Sequence, residues 1–174
     1  MSKSKFGQKL RRRKEGRTDY GKRLALLKSG KDRLVVRVLT RQVVAQVIGY
    51  KEKGDVIKAA ATSLELRKYG WTGSTGNAPA AYLTGMLIGY EAKGKGIGEC
   101  VFDIGLHTPV KGSNVFAALK GAVDAGLAVP HSPECFPTEA RITGKSFAEY
   151  SKKPNTTKEF ETVKAAIQKE FAKR

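Results

Sequence analysis

An α/β sandwich is the fold class this sequence predicts, on three observations. Three strand-like runs, the first two β-branched, lie close together between residues 33 and 62, two apolar helical patterns follow, and a short apolar strand pattern separates those helices. At 174 residues the chain is near the usual size of one domain, long enough to bury a core without disulfides or metals.

The elements read in order as follows. Thr18 is placed to cap a short helix with Tyr20, Leu24 and Leu27 near helical spacing and Gly30 closing it, a helix that would anchor the segment before it to the body. RLVVRVLT (33 to 40), QVVAQVIGY (42 to 50) and VIKAAAT (56 to 62), separated at Thr40-Arg41 and at the turn-like Lys53-Gly54-Asp55, read as a strand meander. If Leu34, Val36 and Val38 face one side of the first strand, Arg33, Val35, Arg37 and Leu39 face the other, with Arg41 at the turn. A basic platform and ordinary polar-out alternation both fit that face.

Ser63 opens a short helical segment ending at Gly70, and residues 71 to 77 form a loop. A long helix is predicted over 78 to 93, with Pro79 in its first turn and Tyr82, Leu83, Met86, Leu87 and Tyr90 three and four apart. ECVFDIG (99 to 105) suits a buried strand, residues 106 to 112 a loop, and Ser113 or Asn114 the cap of a helix over 115 to 125 closed by Gly126. Thr156 and Glu159 have capping-box spacing ahead of Phe160, Val163, Ile167 and Phe171, which share one helical face. Lys152-Lys153-Pro154-Asn155 breaks this last helix from the body, and no internal repeat is visible.

Charge narrows the function. Lys and Arg number 33 against 16 Asp and Glu, a net charge of +17, which implies a polyanionic partner. Residues 1 to 33 hold thirteen basic and three acidic residues, whereas residues 99 to 140 hold five acidic (Glu99, Asp103, Asp124, Glu134, Glu139) and two basic (Lys111, Lys120). A block such as Arg11-Arg12-Arg13-Lys14 repels itself and is expected to stay unfolded until phosphates neutralise it; a solubilising tail or a nuclear-localisation signal has the same composition. No apolar run approaches the roughly 20 residues that span a bilayer, and the amino terminus has no apolar core of a secretory signal, so a cytosolic protein without membrane contact is predicted.

Enzymatic motifs fail one by one. Cys100 and Cys135 form no CxxC pair, and with His107 and His131 they lack the short paired spacing of a zinc site. Thr143-Gly144-Lys145-Ser146 resembles the end of a phosphate-binding loop, but Glu139 stands where that loop needs its first glycine. Gly94, Gly96 and Gly98 follow a helix instead of opening one, unlike a dinucleotide-binding turn. Cys135 has His131 four residues upstream, but among prolines and with no oxyanion hole. A Mg²⁺ nuclease would need Asp103 to converge with Glu99, Asp124 or Glu134, whereas a strand-end Asp bonding loop amides is the commoner arrangement. No catalytic residue, metal or cofactor is predicted.

Three long strings carry a resemblance: RRRKEGRTDYGKRLALLKSGKDRLVVR (11 to 37), YGWTGSTGNAPAAYLTG (69 to 85) and VFDIGLHTPVKGSNVFAALKGAVDAGLAVPHS (101 to 132). With them the chain resembles, over about residues 8 to 150, the archaeal and eukaryotic type of the 5S rRNA-binding family numbered eighteen among large-subunit ribosomal proteins, the archaeal form more nearly; residues 151 to 174 match loosely. The resemblance implies a three-layer α/β/α body with a mixed sheet over 18 to 150, a basic extended RNA-binding arm over 1 to 17, and a helical extension over 151 to 174. It also implies a structural role in the central protuberance, with 5S rRNA, large-subunit rRNA and neighbouring large-subunit proteins as partners. Carried over by position, the RNA contacts are Lys9, Arg11, Arg12, Arg13, Lys14, Arg17, Tyr20, Arg23 and Lys28, then Arg33, Arg37, Arg41, Lys111 and Ser113. Tyr20 is placed either to stack on a base or to pack its own helix, and the acidic balance over 99 to 140 turns that part towards protein or solvent. A general nucleic-acid condensing protein, the competing class, would need only the basic arm.

Overall fold

Residues 7, 11–151 and 155–172 are described by the computed structural model. Lys9, Lys152-Lys153-Pro154 and the Thr156 side chain, each read from the sequence above, lie outside the described residues. A single turn, α1 (Arg11–Lys14), and a two-turn helix, α2 (Tyr20–Leu27), precede the sheet. The cap of α2 is Asp19 and not Thr18. The Asp19 carboxylate accepts the Gly21 and Lys22 N–H groups at 3.0 and 3.1 Å, while the Thr18 hydroxyl is drawn off to Arg12 Nε at 2.9 Å. The expected apolar face of α2 is only partly used, since Tyr20 and Leu27 are half-buried and Leu24 is 59% exposed.

The β-branched runs pair as a meander of β1 (Asp32–Val38), β2 (Val43–Gly49) and β3 (Val56–Thr62), all antiparallel neighbours. β1 begins one residue before its predicted start and ends two residues early, and β2 is one residue short at each end; residues 39 to 42 form the turn between them, where the Thr75 hydroxyl holds the Arg41 carbonyl. Period-two alternation puts Leu34, Val36, Val43, Ala45, Val47, Ala59 and Ala61 on one face, all buried. A capping box, in which Thr62 N–H and hydroxyl both donate to Glu65, turns the chain into a 3-10 helix, Ser63–Tyr69, closed by Gly70.

Asn77 then caps α3 (Ala78–Gly94), buried almost all round through Gly89 as a central helix must be. It returns the chain to β4 (Cys100–Asp103), parallel to β1, shorter than the predicted 99 to 105. The sheet is mixed, in the order β3-β2-β1-β4. Beside α3 on the apolar face lies α4 (Asn114–Asp124), and the two approach backbone to backbone. A Cβ on Gly85 would stand 1.9 Å from the Ala118 carbonyl oxygen, and one on Gly121 would stand 2.0 Å from that of Tyr82.

Two short helices, α5 (Glu139–Ile142) and α6 (Lys145–Ser151), lead to α7 (Asn155–Ala172). The predicted apolar face of α7 is buried: Phe160, Val163 and Ile167 are at most 3% exposed, and Phe160 and Phe171 pack on Tyr82 and Tyr90 of α3 with ring centroids 5.6 and 5.3 Å apart. Helix α7 therefore backs α3 on the already covered side of the sheet. Over the opposite face the helical layer is thin, consisting of α2 and the loop that follows β4. Among the described residues no helix is long and apolar enough to cross a membrane.

Candidate nucleic-acid interface

The cations of the chain divide into those already satisfied inside the protein and those left on its surface. In the described part of the arm, Arg11 and Arg17 both meet Glu15, at 2.8 and 3.1 Å, with 86% and 68% of their side chains exposed. Such exposed pairs contribute about 0–1 kcal/mol, so phosphate can replace them at little cost. Arg12, Arg13 and Lys14 are exposed as well, on the single turn of α1.

On the sheet the arrangement is reversed. Alternation puts Arg33 and Arg37 on the same face, as read from their spacing, but Arg33 is only 4% exposed. Its guanidinium donates to Asp103 at 2.8 Å and to Asp55 at 2.7 Å. Arg23 from α2 reaches the same Asp55 with one nitrogen at 2.9 and 3.0 Å from the two carboxylate oxygens. Arg37 donates to the Asp103 carboxylate at 3.1 Å and to the Asp103 and Val36 carbonyls at 2.8 Å. Three arginines and two aspartates thus form one chain of charge-assisted bonds that ties α2, the turn before β3, β1 and β4 together. Arg33 is a structural member of it, 4% exposed and paired through both terminal nitrogens.

The same bonds dispose of the metal reading of Asp103. Its carboxylate also accepts the Gly105 N–H at 2.8 Å, the loop-amide role of a strand-end aspartate. The other three carboxylates each have a separate partner. Glu99 is paired with Lys31, whose hydrogen bond lowers the Glu99 pKa; Asp124 accepts the Tyr82 hydroxyl at 2.8 Å; Glu134 meets Lys111 at 2.7 Å. Burial first, then Asp124, raises the Tyr82 pKa. Among the described residues no group of three or more His, Cys, Asp and Glu is placed to hold a metal ion.

Of the remaining sequence candidates, Lys28 and Arg41 are exposed, at the end of α2 and in the β1–β2 turn. Lys111 is bound to Glu134, and Ser113 caps α4 through its carbonyl, which accepts from Phe116 and Ala117, while its hydroxyl is buried without a partner among the described residues. What the fold does bring together are Arg12, Arg17, Arg23, Arg33 and Arg37, around a cavity of about 730 Å³ between α2 and the sheet. Lys22, Asp55, Leu106 and His107 also line it and were not singled out from sequence as parts of a binding site. Asp55 was legible only as a turn residue, because its partner arginines lie 22 and 32 positions away.

A family model described as ribosomal large subunit proteins 60S L5 and 50S L18 matches residues 4–96 and 90–132. The large ribosomal subunit protein uL18 of Caldivirga maquilingensis is 54% identical over 151 residues, covering 86% of this chain and 73% of the relative. The uL18 protein of Korarchaeum cryptofilum is 52% identical over 86% of this chain and 76% of its own length. That of Methanococcoides burtonii is 49% identical over 93% and 94% respectively.

Proposed function

This chain belongs to the family of ribosomal large subunit proteins 60S L5 and 50S L18, and on that premise we propose that it binds 5S rRNA and helps attach it to the large-subunit rRNA in the central protuberance. Its coarser role is that of a structural constituent of the large ribosomal subunit in the cytoplasm, and it is not an enzyme. The observation that carries the finer reading is the division of the cations. Arg11, Arg12, Arg13, Lys14 and Arg17 stand exposed on the arm, next to a body whose strand arginines are neutralised internally. The arm supplies a charge term through phosphate neutralisation and counterion release. The body supplies a rigid surface that selects RNA shape through 2′-hydroxyl and base contacts. Lys28, Arg41 and the half-exposed Arg37 are the body cations placed to take part, with neighbouring large-subunit proteins meeting the acidic stretch over 99 to 140.

The test is competition at physiological salt between 5S rRNA and duplex DNA of similar length. Selection of 5S rRNA supports the reading. Equal affinity for the two leaves only an electrostatic arm, the behaviour of a condensing protein.

A further inference from the structure

We propose that the cavity between α2 and the sheet takes one unstacked nucleotide of the bound RNA, its base inside and its phosphate at the rim. This rests on the RNA-binding reading and adds a specific pocket to it. The volume of about 730 Å³ falls within the roughly 300–1,000 Å³ of pockets that hold small organic ligands. Its walls are of two kinds. Val35 and Ile48 of the sheet and Leu106 of the loop after β4 give an apolar floor, and Leu106 is otherwise an unexplained 56% exposed.

Charge selects the occupant. The lining carries six basic residues against three acidic ones, and two of those acids, Asp55 and Asp103, are consumed by the internal arginine chain. Arg12, Arg17 and Lys22 are left exposed at the rim, Lys22 only 4.0 Å from its nearest carboxylate, Asp19. An apolar floor under a cationic rim matches a base joined to a phosphate, and does not match an apolar or a basic peptide. Arg33 supplies a second, independent sign. Its Nε is buried with no hydrogen-bond partner among the described residues, although each terminal nitrogen of the same guanidinium donates to an aspartate, and Arg33 lines this cavity. A buried donor without an acceptor is rare in native structures, and the edge of a base carries the acceptors that would satisfy it. Unpaired bases are also the parts of RNA that proteins read most specifically.

The experiment uses the full-length protein and 5S rRNA substituted with fluorescent 2-aminopurine at its unpaired purines, one position per sample. The expected result is a binding-dependent emission change at one position that is lost in two variants, Ile48→Glu and Ala25→Leu. The first puts a carboxylate on the floor, and the second fills the cavity from exposed α2 without a charge change. Each should weaken 5S rRNA binding by about tenfold, the size of losing one stacked base. Ile57→Glu, the same charge change at a site 54% exposed on β3 and outside the cavity, should change affinity less than about twofold. Ala25→Leu keeps the test decisive should Ile48→Glu fail to fold. Wild-type affinity and emission in the Ala25→Leu protein would overturn the pocket while leaving 5S rRNA binding intact. Loss of 5S rRNA selectivity in the wild-type protein itself would instead remove the premise, and the pocket with it.

Discussion

Arg33 and Arg11 are both arginines in the basic half of the chain, and their environments assign them opposite duties. Arg33→Ala would leave Asp55 and Asp103 in a largely buried site with one arginine each, and breaking buried pairs of this kind costs about 3 kcal/mol. Urea unfolding should show that loss as a lower midpoint at unchanged slope. Arg11→Ala removes a pair whose arginine is 86% exposed, so the unfolding free energy should stay within about 0.5 kcal/mol of the wild type. Its effect belongs to binding, where the slope of log affinity against log salt should fall by about one unit if Arg11 touches phosphate. The two thiols give a further check. Burial pushes Cys100 up to about 11 and raises Cys135 less far, on a half-buried loop. Since the thiolate is the reactive form and Cys100 is fully buried, a maleimide at pH 8 should label Cys135 first and Cys100 only on unfolding. Equal rates at pH 8 would contradict the buried position of Cys100. Sequence spacing put Arg33 and Arg37 on one face, but their neutralising partner Asp103 is 70 and 66 residues away, a pairing that no local pattern encodes.

At the scale of elements, α3 was the most legible, because Pro79 and a continuous apolar pattern fixed it to within a residue of Ala78–Gly94. Strand ends were less so. Thr40 is a good strand former and Leu39 continues the apolar run, yet the chain turns there because Thr75 holds the Arg41 carbonyl from a distant loop. The close approach of α3 and α4 was also hidden, since Gly85 and Gly121 inside helical patterns look merely unfavourable until the partner backbone is in place. That approach is testable. Gly121→Ala would drive a methyl group to 2.0 Å from the Tyr82 carbonyl oxygen, backbone that cannot rotate away, and should destabilise by about 3 kcal/mol. For a chain of this length the melting temperature should drop by roughly 6–12 °C. Gly94→Ala, with nothing within 4 Å of the new carbon and a helical backbone, should leave it unchanged or raise it by about 1–2 °C. If Gly121→Ala melted like the wild type, the two helices could not pack backbone to backbone.

For the molecule as a whole, the question is whether arm and body are separable. Deleting residues 1–17 removes eight basic side chains and one acidic, while the ion pairs of residues 11–17 stay within that segment. The thermal transition should therefore hardly move. If about six of the eight touch phosphate, the salt slope for 5S rRNA should become shallower by roughly four to five units. A truncated protein that fails to fold, or that binds with an unchanged slope, would each defeat the division. The overall charge polarity was open to sequence reading because it is a sum. The cavity was not, since its walls come from α1, α2, β1, β2, β4 and their loops, and only the fold assembles them.

The parallel pairing of β4 with β1 also orders events in time. Ribosomes make the amino-terminal end first, at about 5–20 residues per second, so Arg33 precedes Asp103 by roughly 4 to 14 s. A nascent chain that has reached Gly98 carries 22 basic residues and 7 acidic ones, with one edge of β1 still bare. Translation thus issues the attraction for polyanions before the aspartate that restrains it. A chain that stalls before Cys100 is consequently expected to cling to whatever RNA is nearest, and discrimination begins only when the last strand arrives.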